Sequence, residues 1–342
     1  LNHENANVQG FTMQATSTPA YPRDHGGGVD GAIACFGGQR CDWIDLSTGI
    51  NPVPYPLGQL PPTAWATLPD QAATDALLGA ARAVWQVPKA AAILAAPGAS
   101  ALIARLPALR PAGHVAIDGP TYNEHAAGFQ AAGWQLAAPG QATPADARVI
   151  VHPNNPTGHW HSGFTPDTAF SVIDESFCDV APENSLLPQL DLQKSLVLKS
   201  FGKFWGLAGL RLGFAIGNPA DIAQLAQMLG PWPVSGPALH IGARALADHD
   251  WAAATRTRLQ ADAARMDAEM AAQKARPLGG TTLFRLYQVE DALAWQAHLA
   301  RAHIWSRVFP YARTWLRLGL PAPKDWPRVS AAIASATAKD VR

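Results

Sequence analysis

Residues 200–214 place Ser200, Lys203 and Arg211 in a run otherwise made of Phe, Trp, Leu, Ala and Gly. Lysine normally keeps its ammonium in water, so apolar neighbours should lower its pKa and free the amine to attack a carbonyl. Upstream, residues 171–177 read as a short apolar strand that delivers Asp174 at its carboxyl end, where sheet proteins place ligand-binding residues. Residues 149–158 read as another strand, ending in the turn Asn154-Asn155-Pro156-Thr157-Gly158. Amide, carboxylate and amine thus follow one another in chain order, each at the end of a strand.

The elements needed to hold them are legible as alternation. From about residue 64, helical stretches alternate with short apolar strands expected at 92–95, 114–118, 149–152, 172–174, 195–199 and 212–216. That is the pattern of an α/β protein with a mostly parallel sheet covered by helices. A break follows at Gly230-Pro-Trp-Pro-Val-Ser-Gly-Pro237, then an Ala-rich helical region to about Lys274 and strands expected at 281–287, 304–308 and 314–318. The change predicts a large domain giving way to a smaller α+β domain, as a chain of 342 residues leads one to expect. The boundaries are an arm over 1–47, a large domain over 48–232 and a small domain over 233–342.

The run from Ser200 to Phe214 resembles the lysine motif of fold-type I pyridoxal-phosphate (PLP) enzymes. The resemblance implies a seven-stranded large-domain sheet and PLP as cofactor. It also implies that Lys203 holds the cofactor aldehyde while Ser200 and Arg211 hold its phosphate. It gives Asp174 the pyridine nitrogen, keeping the ring protonated and able to accept electrons, and gives Asn155 the 3′-oxygen. Gly98-Ala99-Ser100 resembles the family's turn into a helix whose first N–H groups bind phosphate. Tyr122, in Asp118-Gly-Pro-Thr-Tyr122, falls where an aromatic ring stacks on the pyridine.

Other chemistries are less well supplied. Lysine plus arginine and aspartate plus glutamate both number 26, which removes the electrostatic case for nucleic acid or an anionic membrane surface. Cys35, Cys41 and Cys178 form no Cys-x-x-Cys pair, and an odd number fits a reducing compartment, so cytoplasm is expected. His152, His159 and His161 surround a polar turn without a carboxylate or thiolate partner in the motif, so no metal is expected. His25-Gly-Gly-Gly28 resembles a lipase oxyanion loop, yet no Gly-x-Ser-x-Gly supplies a nucleophile. Gly26-x-Gly28-x-x-Gly31 fits a dinucleotide fingerprint but lacks the preceding apolar strand.

Within the PLP enzymes the chain resembles the threonine-phosphate decarboxylases of cobalamin biosynthesis, themselves similar to histidinol-phosphate aminotransferases. His25-Gly-Gly, Asp45-Leu-Ser-Thr-Gly-Ile-Asn51-Pro52, Phe204-Trp205 after the lysine, and Phe177 where aminotransferases carry tyrosine all bear that likeness. The resemblance implies decarboxylation of L-threonine O-3-phosphate to (R)-1-aminopropan-2-yl phosphate. It implies Arg317 on the substrate carboxylate, Arg307 on its phosphate, and His25 and Asn51 on the substrate side. A homodimer is implied too, although Leu68-Pro69-Asp70 stands where relatives carry a tyrosine that reaches the partner's cofactor. The alternatives are a histidinol-phosphate-type aminotransferase and a non-catalytic PLP-fold binding or regulatory protein.

Overall fold

The apolar runs become a sheet because each is too short to bury both its faces alone. The computed structural model describes residues 25–137, 145–164, 167–336 and 341, so the first 24 residues of the arm lie outside the described part. The chain begins with α1 (Val29–Phe36), β1 (Ile44–Asp45), α2 (Thr63–Ala66) and α3 (Gln71–Val84), the last capped by Asp70, whose carboxylate accepts from Ala73 N–H. Then come β2 (Ala92–Ala96), α4 (Ala99–Ile103), β3 (His114–Ile117), α5 (Asn123–Ala131), β4 (Gln135–Leu136), β5 (Ala147–Val151), β6 (Phe170–Asp174), β7 (Ser195–Ser200), β8 (Gly213–Gly217) and α6 (Pro219–Leu229). The remainder holds α7 (Gly236–Ala247), α8 (His249–Ala272), β9 (Arg276–Thr281), β10 (Phe284–Gln288), α9 (Ala292–Arg301), β11 (Ile304–Trp305), β12 (Arg307–Phe309), β13 (Ala312–Gly319) and α10 (Trp326–Ala334).

Seven strands form the large sheet in the order β2-β8-β7-β6-β5-β3-β4, with β8 antiparallel to both neighbours and the other pairs parallel. A parallel sheet must be covered on both faces, which is why β6 and β8 are buried throughout. Side chains alternate across it: Val172, Leu196 and Leu198 pack on one face, Ile173 and Val197 on the other. The carboxyl ends of β5, β6 and β7 lie side by side and bring Asn155, Asp174 and Ser200 to one edge.

The second sheet is antiparallel, in the order β12-β13-β10-β9. Beside it β1 pairs in parallel with β11, and Val29, Ala32 and Trp43 of the arm share a small core with Ala300. Two expected strands come apart here. The run at 281–287 is a hairpin of β9 and β10, because β9 runs through Gly279 and Gly280, residues whose strand tendency is low; Gly280 N–H donates to Thr157 O at 2.9 Å, tying this sheet to the Asn155 loop. The run at 304–308 divides at Ser306 since its two halves have different partners, β1 and β13. The Ala-rich region likewise divides at Asp248, whose side chain caps α8 through Trp251 N–H. A division at 232/233 assigns α7 to the small domain, whereas α7 packs against α2 and α3. No helix among the described residues is long and apolar enough to cross a membrane.

Candidate active site

At the carboxyl end of β6, Asp174 is 2% exposed and fully engaged. One oxygen accepts from Ser176 N–H at 2.9 Å and from its hydroxyl; the other faces His125 Nε2 at 2.8 Å. Burial pushes the carboxyl up, but the hydrogen bond and charge of His125, with Ser176, outweigh it and hold Asp174 below the ordinary carboxylate range. His125 sits on α5, three residues after Tyr122, and sequence reading missed it. With Asp174 ionised, His125 Nε2 carries the proton, and its buried Nδ1 has no hydrogen-bond partner among the described residues.

Lys203 follows β7 on a turn under Phe177, its Nζ 5.4 Å from the ring centre. Removal from water lowers its pKa, Arg317 and Arg211 lower it further, and Asp174 opposes them, leaving the amine at about 8. The cavity around it is lined by Gly98, Ala99, Ser100, Tyr122, Asn155, Asp174, Ser200, Lys203 and Arg211. All nine expected cofactor residues therefore meet in one place. Tyr122 bonds Ser100, and burial, with Glu124 and Asp174, raises its phenol above the usual range.

The donors suit PLP. Ser100, Ser200, the first N–H groups of α4 and Arg211 offer an anion site at one end, where Arg211 makes no ion pair among the described residues. The Asp174 carboxylate, kept ionised, and the Lys203 amine line the same cavity. Gly98 is required in this cradle: its φ is 85°, and a Cβ there would lie 2.6 Å from an Arg211 nitrogen.

A second cavity opens from the first, sharing Tyr122, Asn155, Phe177 and Lys203 and adding His25, Thr48, Arg307, Tyr311 and Arg317. Arg317, on β13, is 5% exposed. It donates to Ser47 O at 2.6 Å and to Asn155 Oδ1, which fixes the Asn155 amide with its NH2 group left to donate. Arg307 on β12 pairs in register with Arg317, so both cations enter from the small sheet. His25 Nε2 lies 2.9 Å from Glu124 Oε1, bringing the arm to the cavity edge. Tyr311, which sequence reading missed, completes the rim. Asn51 does not line either cavity: it is 1% exposed and lies behind the lysine turn.

Of the three histidines of the polar turn, His152 has both ring nitrogens engaged. His152 Nδ1 accepts from His161 N–H and its Nε2 bonds Asn184 O, while the nearby Glu175 is occupied by Lys199, Ser185 and Leu186 N–H.

The chain matches the family model of aminotransferase class I and II over residues 164–333. It is 40% identical to a threonine-phosphate decarboxylase from Sinorhizobium sp., over 87% of this chain and 93% of that protein. A threonine-phosphate decarboxylase from Pseudomonas aeruginosa is 36% identical, over 91% of this chain and 97% of the relative. Among solved structures, histidinol-phosphate aminotransferase from Sinorhizobium meliloti in complex with pyridoxal-5′-phosphate superposes with a TM-score of 0.77 at 18% identity, covering 93% of this chain and 100% of that one. At that identity the likeness speaks for the fold.

Proposed function

Because this chain belongs to the threonine-phosphate decarboxylase family, we propose that it is a PLP-dependent lyase that removes the carboxylate of L-threonine O-3-phosphate. The product would be (R)-1-aminopropan-2-yl phosphate, for cobalamin biosynthesis. The observation that carries the reading is the pairing of two arginines, Arg307 and Arg317, in one cavity with an amine of lowered pKa. A substrate with two anionic groups and an amine needs those three partners.

In this reading Lys203 holds the cofactor, Asp174 faces its ring nitrogen, Asn155 its 3′-oxygen and Tyr122 its ring face, while Gly98, Ala99, Ser100, Ser200 and Arg211 take its phosphate. Bound there, PLP supplies an electron sink for the charge left at the substrate's Cα. The protein's part is orientation and proton placement. Arg317 suits the carboxylate and Arg307 the phosphate, since a guanidinium fork bonds two oxygens at once. Gripping both groups fixes rotation at Cα, so the carboxylate rather than the hydrogen is the group presented for loss. Phe177 packs over the amine, its ring centre 5.4 Å from Nζ. Displaced by substrate, Lys203 Nζ is the group able to return a proton to Cα, and a pKa of about 8 leaves it able to give and take protons near neutrality.

Two architectural statements belong to the same reading. The small domain is best begun at α8, since α7 packs with α2 and α3. The protein acts as a homodimer: Leu57 and Trp65 are exposed on the side of the molecule where residues 206–210 extend the lysine turn.

The test is direct. PLP-loaded protein given threonine phosphate alone should release carbon dioxide and the aminopropanol phosphate in equal amounts. Turnover that needs 2-oxoglutarate and yields a keto acid without gas would make it an aminotransferase instead, and cofactor binding without either product would make it a binding protein.

A further inference from the structure

The backbone that carries Lys203 is held by a distant segment. Asn51 N–H donates to Lys203 O at 3.0 Å, the Asn51 side-chain NH2 to Phe204 O at 2.8 Å, and Tyr55 N–H to Trp205 O at 2.9 Å. Three successive carbonyls of the lysine turn thus accept from residues 51–55, about 150 positions earlier. The approach is close: a Cβ on Gly206, which has φ of 71°, would meet Pro54 Cα at 2.6 Å. Of the three donors only one is a side chain, and it is the one open to substitution.

We propose that Asn51 is a positioning residue for Lys203, and that Arg258 of α8 fixes the direction of its amide. The direction follows from donors and acceptors alone. Arg258 Nη2, at 2.6 Å, and Val53 N–H, at 3.0 Å, both donate to Asn51 Oδ1, so the NH2 end must face Phe204 O, which can only accept. Arg258 is itself held by Asp262 one turn along α8, at 3.1 Å. The chain of contacts therefore runs from α8, through one buried amide, to the carbonyl beside the reactive lysine. Without that amide, Phe204 O loses its buried donor and the turn loses the contact that sets its distance from residues 51–55.

This inference rests on the reading of Lys203 as the residue that holds the cofactor, and it moves Asn51 from the substrate to the support of the lysine. The experiment compares wild type with Asn51→Ala, Asn51→Asp and Arg258→Gln as PLP-loaded proteins. It follows kcat and KM for threonine phosphate, the pH titration of the visible absorbance of the lysine-bound cofactor, and amide exchange across residues 203–206. For Asn51→Ala we expect kcat to fall roughly 10- to 100-fold, as for a small misplacement of a reacting group. KM should stay unchanged, the absorbance midpoint should move, and exchange should quicken. Asn51→Asp keeps the shape and the acceptor end but turns an oxygen toward Phe204 O, so it should do the same even if the alanine variant folds poorly. Arg258→Gln should act in the same direction and less, because Val53 N–H remains. A raised KM with unmoved kcat, absorbance midpoint and exchange would make Asn51 a substrate contact and overturn the proposal. An Arg258→Gln protein identical to wild type would overturn the part given to Arg258. A wild-type protein that forms no lysine-bound cofactor would instead sink the functional reading, and the exchange measurement would still decide whether Asn51 holds the turn.

Discussion

Lys199 and Lys203 are four residues apart, both withdrawn from water, and their amines are driven in opposite directions. Lys199 Nζ sits 2.6 Å from Glu175 and 3.9 Å from Asp179, and these acids overcome the effect of burial and raise its pKa. Loss of solvent acts on Lys203 in the same direction, but there Arg317 and Arg211 reinforce it, and Asp174 offsets only part. Burial alone therefore does not make a lysine reactive; the sign of the charges around it decides. The sheet explains how one short stretch serves both ends. Asp174 and Ser200 belong to the face that meets the cavity, while Lys199, the residue before Ser200 on β7, belongs to the opposite face, where it meets Glu175 just past the end of β6.

The largest way to disturb this contrast is on the paired side. Lys199→Met should destabilise the protein by about 3–5 kcal/mol, the cost of stranding a buried partner charge, and Glu175→Gln added to it should recover part of that loss. Urea unfolding of the three proteins checks it. The pH dependence of Lys203 should survive in the folded Lys199→Met protein, since Lys199 is not among the groups that set it. If Lys203 shifted as well, the two sites would be one network.

A smaller effect sharpens the unpaired side. Arg317→Gln removes a positive charge that disfavours the Lys203 ammonium, so the pKa must rise from about 8 and the neutral amine must appear at higher pH. The rate of acylation of Lys203 against pH, read by mass spectrometry, reports this. A midpoint unmoved or lowered would show that Arg317 does not help to hold the amine down.

Much of the cofactor half was legible because its residues lie in short contiguous motifs at strand ends, where local pattern and tertiary position coincide. Asn155, Asp174, Ser200 and Lys203 each sit where an apolar run stops. The rest depends on pairings that no local pattern carries. Asn51 lies behind the lysine because residues 51–55 dock on a turn far along the chain. His125 was missed because one histidine in a helix has no pattern of its own until the tertiary fold sets it against Asp174. Gly279 and Gly280 concealed β9 because glycine weakens the strand signal while permitting the close contact with the Asn155 loop.

In the proposed function Lys203, and not its neighbour Lys199, carries the cofactor. Borohydride reduction of the PLP-loaded protein followed by peptide mapping tests it most directly. One pyridoxyl group per chain is expected, on Lys203, with Lys199 unmodified. A label on Lys199, or no stable label at all, would contradict it.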